Sequence, residues 1–102
     1  MKKHVLNLFA AKKIIIDDQH ILNDLIMDKI GGDFEFQLST LENDESYFDA
    51  KVTFNYFHGQ FIDANLYELI YHDGESGKEF DLSCDLEIDI AFDDFLYNNY
   101  SF

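Results

Sequence analysis

Apolar and polar residues alternate strictly along Lys78–Phe92, KEFDLSCDLEIDIAF. Phe80, Leu82, Cys84, Leu86, Ile88, Ile90 and Phe92 share one parity, and Glu79, Asp81, Ser83, Asp85, Glu87 and Asp89 share the other. Period-2 alternation predicts a half-buried β-strand whose second face meets water. That second face would carry five carboxylates and no cation.

The same pattern recurs upstream. Phe34, Phe36 and Leu38 alternate with Asp33, Glu35 and Gln37, and Phe48–Tyr56 alternates with Asp49, Lys51, Thr53 and Asn55. His58-Gly59-Gln60 reads as a hairpin turn. Opposing Phe57 to Phe61 brings Tyr56 to Ile62, Phe54 to Ala64 and Val52 to Leu66, which keeps one face apolar. Residues 61–72 read as the returning strand, although Ile62, Leu66, Leu69 and Ile70 also suit a helix capped by Asp63. Asp73–Gly77 reads as the next turn.

Helical spacing is confined to the first third. Val5, Leu8 and Phe9 predict a short helix over 3–11. Ile14–Ile16 reads as a brief strand or the start of the next helix. Asp17 and Asp18 are N-cap candidates for a helix striped by Ile21, Leu22, Leu25, Ile26 and Ile30, with Gly31-Gly32 expected to close it. Residues from Asp93 onward read as a short terminal helix or a sheet edge. The expected fold is α+β: an antiparallel sheet of about four strands with N-terminal helices packed on one face. Residues 1–31 are mainly helical, 33–92 form a β-meander and 93–102 a short tail, all in one small acidic domain.

Composition supports a packed core. Of 102 residues, 47% are hydrophobic and 17% aromatic, which argues against disorder despite a net charge of −14. Charge is placed unevenly. Lys2, Lys3, Lys12 and Lys13 occupy an N-terminal stretch without acids, and from Ile14 onward three lysines face all 21 acidic residues. With no arginine in the chain, direct contact with nucleic acid or an anionic membrane is disfavoured, since phosphate contacts come mainly from Lys and Arg. A basic protein is the natural partner for such a field.

Sites for chemistry are sparse. His4, His20, His58 and His72 lack metal-ligand spacing, and no P-loop, paired C-x-x-C or dinucleotide fingerprint occurs. Cys84, the lone cysteine, reads as a small buried hydrophobe. Asn43-Asp44-Glu45 with Asp49, and Asp89 with Asp93-Asp94, offer hard oxygens for calcium but lack the EF-hand pattern. No cofactor, metal or enzymatic activity is expected. Neither a signal peptide nor a membrane span is legible, which suggests a cytoplasmic protein.

The acidic parity positions remain. Same-face side chains on a strand recur about every 6.7 Å, and successive phosphates of a DNA strand lie roughly 7 Å apart through space. Glu79, Asp81, Asp85, Glu87 and Asp89, with Asp33 and Glu35 from a second strand, are the candidate partner-binding residues. A solvated face that discourages edge aggregation is the plain alternative. Tyr67, Tyr71, Tyr97, Tyr100 and Phe102 are candidate apolar anchors. In acidity, size and acidic rows on a sheet, the chain resembles the DNA-mimic inhibitors that phages and mobile elements direct at restriction or CRISPR nucleases. That resemblance implies an inhibitor of a basic nuclease or other nucleic-acid-binding protein. An immunity or antitoxin protein that neutralises a cognate toxin, using the Glu42–Ser46 loop or the C-terminal aromatics, is the second expectation. An acidic assembly protein is the third.

Overall fold

A computed structural model describes residues 1–42 and 45–99. Helix α1 (Lys2–Ala10) leads through strand β1 (Ile14–Ile16) to helix α2 (Gln19–Met27). Strands β2 (Gly32–Thr40), β3 (Tyr47–Phe57), β4 (Gln60–His72) and β5 (Glu79–Asp81) follow, and helix α3 (Leu86–Asn99) comes last. The strands form one five-stranded antiparallel sheet in chain order. The architecture is α+β, as the patterning predicts, with one strand more than expected. Asn43 and Asp44 of the expected loop, and the anchor candidates Tyr100 and Phe102, lie outside the described residues.

The even-numbered residues of β2 and β3 face the core. Phe36, Leu38, Phe48, Ala50, Val52 and Phe54 are all buried. Helix α1 lays Val5, Leu8 and Phe9 on that face, and α3 adds Ile88, Phe92, Phe95 and Leu96. Phe9 sits at their junction, with ring centroids 6.2 Å from Phe48, 6.0 Å from Phe92 and 5.6 Å from Phe95. Helix α2 contributes Leu22 and Leu25, while Ile21 and Ile30 of the expected stripe stay exposed. Gly31-Gly32 does not close α2. The helix ends at Met27, with Lys29 just beyond its cap at φ 56°, and Gly32 already belongs to β2.

The β3–β4 hairpin pairs Phe54 with Ala64 and Val52 with Leu66, as expected. Its tip differs. Phe57 pairs with Gln60 and Tyr56 with Phe61, around His58 and Gly59 at φ 51° and 76°. Two central residues at positive φ make the two-residue turn favoured by right-twisted strands. The mismatch is absorbed by a bulge that leaves Ile62 out of the register and exposed. A second bulge, at Tyr67, moves Leu69 and Tyr71 onto the core face. Tyr71 is therefore buried, stacked 4.7 Å from Phe48, and offers no surface anchor.

The long acidic strand is the main correction. Strand β5 spans only Glu79–Asp81, and residues 86–99 are helical instead of continuing the meander. Three local events stop the strand. The Asp81 carboxylate accepts the Ser83 N–H at 2.9 Å, Cys84 turns to φ 60°, and Asp85 accepts the Ile88 N–H at 3.1 Å as the N-cap of α3. Glu87 then adds negative charge to the first turn, which the helix dipole favours. Burial of Ile88, Phe92, Phe95 and Leu96 at helical spacing outweighs alternation, leaving Leu86 and Ile90 exposed. Cys84 is exposed, not buried, and its thiol donates to the Tyr67 carbonyl at 3.7 Å.

Beyond β5, the edge of β4 is satisfied by side chains instead of a strand. Ser83 Oγ accepts the Leu69 N–H at 3.0 Å, an Asp89 oxygen the Leu66 N–H at 2.8 Å, and an Asp93 oxygen the Ala64 N–H at 3.4 Å. Asp89 and Asp93, one turn apart on α3, thus clamp the helix to the sheet. Asp89→Ala leaves the buried Leu66 N–H without its acceptor, a loss expected to cost about 1–3 kcal/mol. Chemical denaturation should register it as a lower midpoint with an unchanged m-value.

Candidate functional site

The outer face of the sheet gathers acids from four strands. Asp33 and Glu35 on β2, Asp49 on β3, Asp63 and Glu68 on β4, and Glu79 and Asp81 on β5 lie on the polar side of their strands. The helices pack on the opposite face, so these side chains meet water; Glu35 is 76% and Glu79 68% exposed. Lys51 is the one lysine on the face. It lies between Glu68 at 3.2 Å and Glu35 at 3.6 Å. Both neighbours raise its pKa, Glu68 foremost by hydrogen bonding. Around this lysine lies a shallow depression of about 510 Å³, bordered by Gln37, Asp49 and Ile70 as well.

His72 is the second basic group there. It stacks on Tyr47 at 4.3 Å, with Nε2 2.8 Å from Asp49 and Nδ1 3.3 Å from Glu79. The Nε2–Asp49 contact is a hydrogen bond, and the ring thus lies between acids of β3 and β5. Other acids are held by neutral donors: Thr53 donates to Asp33 and Asn55 donates to Asp63, each at 2.6 Å.

Asp33, Glu35, Glu79 and Asp81, of the sequence-based candidates, therefore share this face. Asp85, Glu87 and Asp89 do not share it, because α3 carries them away from the line of β5. The Lys2 ammonium lies 3.0 Å from both Asp85 and Glu87, tying α1 to the start of α3. That ammonium and the Ile88 N–H hold the Asp85 carboxyl below its usual value. Asp89 is taken by Leu66. Asp49, Asp63 and Glu68 are members of the face that strand-by-strand reading missed. Asp49 was visible as the polar parity of β3, whereas Glu68 is shifted out of phase with Asp63 by the Tyr67 bulge.

No protein-family model, curated protein or solved structure matches this chain. Among the described residues, no group of three or more His, Cys, Asp or Glu is placed to hold a metal ion, and no helix is long and apolar enough to cross a membrane.

Acid crowding has a measurable consequence at the α3 seam. Burial pushes the Asp93 carboxyl up, the Ala64 N–H opposes this, and Asp63, Asp89 and Asp94 push it further up. A carboxyl whose pKa is raised on folding binds protons more readily when folded, so its ionisation works against stability as pH rises through the folded value. Asp93→Asn keeps an acceptor for Ala64 and removes that cost. The variant is expected to melt higher than the parent at pH 7, with the gap closing as pH falls to the ordinary carboxylate range. Asp81 and Asp85 have the opposite sign. Ser83 lowers the first, and Lys2, then Ile88, lower the second, so their contributions hold above about pH 3.8 and fade as pH drops through the lowered values.

Proposed function

We propose that this protein is a small acidic inhibitor, without enzymatic activity of its own, that docks the outer face of its sheet on a basic nucleic-acid-binding protein. In this reading the face occupies the partner's phosphate-binding surface, as an anti-defence protein of a phage or mobile element would against a CRISPR or restriction nuclease. What supports it is the one-sided charge of an uncovered sheet face: seven carboxylates on four strands against Lys51 and His72. A face that only solubilised the chain would interleave Lys with Glu, and like charges at these spacings repel within a Debye length of about 10 Å.

The carboxylates form two short rows instead of one long one. Asp33 with Glu35 and Glu79 with Asp81 each follow the roughly 6.7 Å same-face repeat. Three strand spacings separate β2 from β5, roughly 14 Å. That is the scale of a DNA major groove, about 12 Å wide between its phosphate rims. A second reading, an immunity protein that neutralises a toxin, draws on Leu86 and Ile90, exposed one turn apart on α3, as a charge-independent contact.

Affinity capture from nuclease-treated host lysate, eluted in salt steps, separates the two. A basic nucleic-acid-binding protein released by salt is the expected result. Capture of a single toxin by salt-resistant contacts favours the immunity reading, and an eluate without a specific protein contradicts both.

A further inference from the structure

In a chain where 21 of 102 residues are acidic, a recess without a carboxylate is unusual. The recess on the sheet contains Glu35, Asp49 and Glu68, and the one near Met1 contains Glu42, Asp73 and Glu75. Asp94 borders the recess beside α1, and Glu45, Asp73 and Glu79 border the one at the β4–β5 turn. The recess between the end of α2, the β3–β4 turn and α3 differs. Ile26, Tyr56, Phe61 and Tyr97 form its apolar part, Gln60 adds an amide, and Lys29 is its one charged group among the described residues.

Lys2, Lys13 and Lys51 are engaged by carboxylates, whereas Lys29, like Lys3, Lys12 and Lys78, pairs with none among the described residues. Its backbone is fixed by the end of α2. The Lys29 N–H bonds the Ile26 carbonyl at 3.2 Å, and the Ile30 N–H bonds the Leu25 carbonyl at 3.0 Å. The side chain lies along the hairpin turn, where a Cβ on Gly59 would stand 3.8 Å from both Cδ and Nζ. The ammonium is thus set at the rim of an aromatic-walled recess of about 350 Å³. Small-molecule sites run from roughly 300 to 1,000 Å³, so this one suits a small ligand.

We propose that this recess binds a small aromatic acid, with its carboxylate on the Lys29 ammonium and its ring against Tyr56, Phe61 and Tyr97. The negative field of the whole protein slows the approach of an anion. Salt at 0.1 M screens that field over about 10 Å, and among the described residues the ammonium is the only charge bordering the recess. The site stands apart from the acidic face and does not depend on the function proposed for it.

Titration of the ¹⁵N-labelled full chain with 3-phenylpropionate tests the proposal, with 3-phenylpropanamide as the neutral counterpart. Saturable amide shifts are expected at Lys29, Gly59, Gln60 and Phe61. The acid should bind at least about tenfold tighter than the amide, as a charge-assisted hydrogen bond implies. Lys29→Gln should erase that preference, while Lys78→Gln, at the β4–β5 turn, should preserve it; dispersed spectra would establish that both variants fold. Equal binding of acid and amide, shifts centred elsewhere, a preference that survives Lys29→Gln, or no saturation by about 10 mM would each overturn it.

Discussion

Phe9→Ala is expected to cost about 3–5 kcal/mol, the usual range for removing a fully buried phenylalanine. Domains of this kind have only about 5–15 kcal/mol of stability in total. Phe9 is 3% exposed, and its ring meets side chains of β3 and α3. Its ring meets Phe92 and Phe95 edge-on and Phe48 at a tilt, arrangements that add to simple burial. Truncation leaves a cavity where α1, α3 and the centre of the sheet converge, and Val5 and Leu8 are then the buried side chains left to hold α1. The Lys2 contacts to Asp85 and Glu87 lie at the surface, where ion pairs contribute little. Denaturant unfolding followed by circular dichroism should show a large drop in midpoint. A drop below about 1 kcal/mol would mean that the α1–α3 layer is not packed as described.

Reversing Glu35, Asp49 and Glu79 to Lys should leave the fold standing and weaken binding to a basic partner at least about a hundredfold. The three side chains are 76%, 55% and 68% exposed; Lys51 is a surface partner, and although the His72 ring is only 19% exposed, the carboxylates it meets lie in water. Losing such pairs costs about 0–1 kcal/mol each. The binding effect is larger because each substitution removes an attraction and adds a repulsion at the same point. Asp81 and Asp85 are unsuitable for this test. Asp81 holds the turn after β5 and Asp85 caps α3, so reversing them confounds binding with folding.

Period-2 alternation identifies β2 and β3 correctly because each has one buried and one wet face; two bulges interrupt it in β4, which is read from its pairing across the turn. Alternation fails at residues 82–92 for a definite reason. Ile88 and Phe92 are four apart, a spacing that both a strand and a helix place on one side. A polar residue at every second position through Asp89, acidic at all but Ser83, conceals the choice further. The deciding signals were Phe95 and Leu96, which extend the helical stripe, and Asp85 three residues before Ile88, which can cap it. The acidic face was legible where strands run unbroken, as at Asp33 and Glu35. It was hidden where a bulge changes parity, as at Glu68. No single-strand pattern reports that Asp49 and Glu79 converge on His72, because that requires knowing which strands are neighbours.

On the function proposed above, the outer sheet face and nucleic acid compete for one surface on the partner. The most direct test is to titrate duplex DNA into the complex of this protein with its captured partner, and to follow release by fluorescence anisotropy. Mutually exclusive binding is expected, with DNA displacing the protein in proportion to its own affinity. A stable ternary complex, with DNA bound and this protein still in place, would contradict the claim.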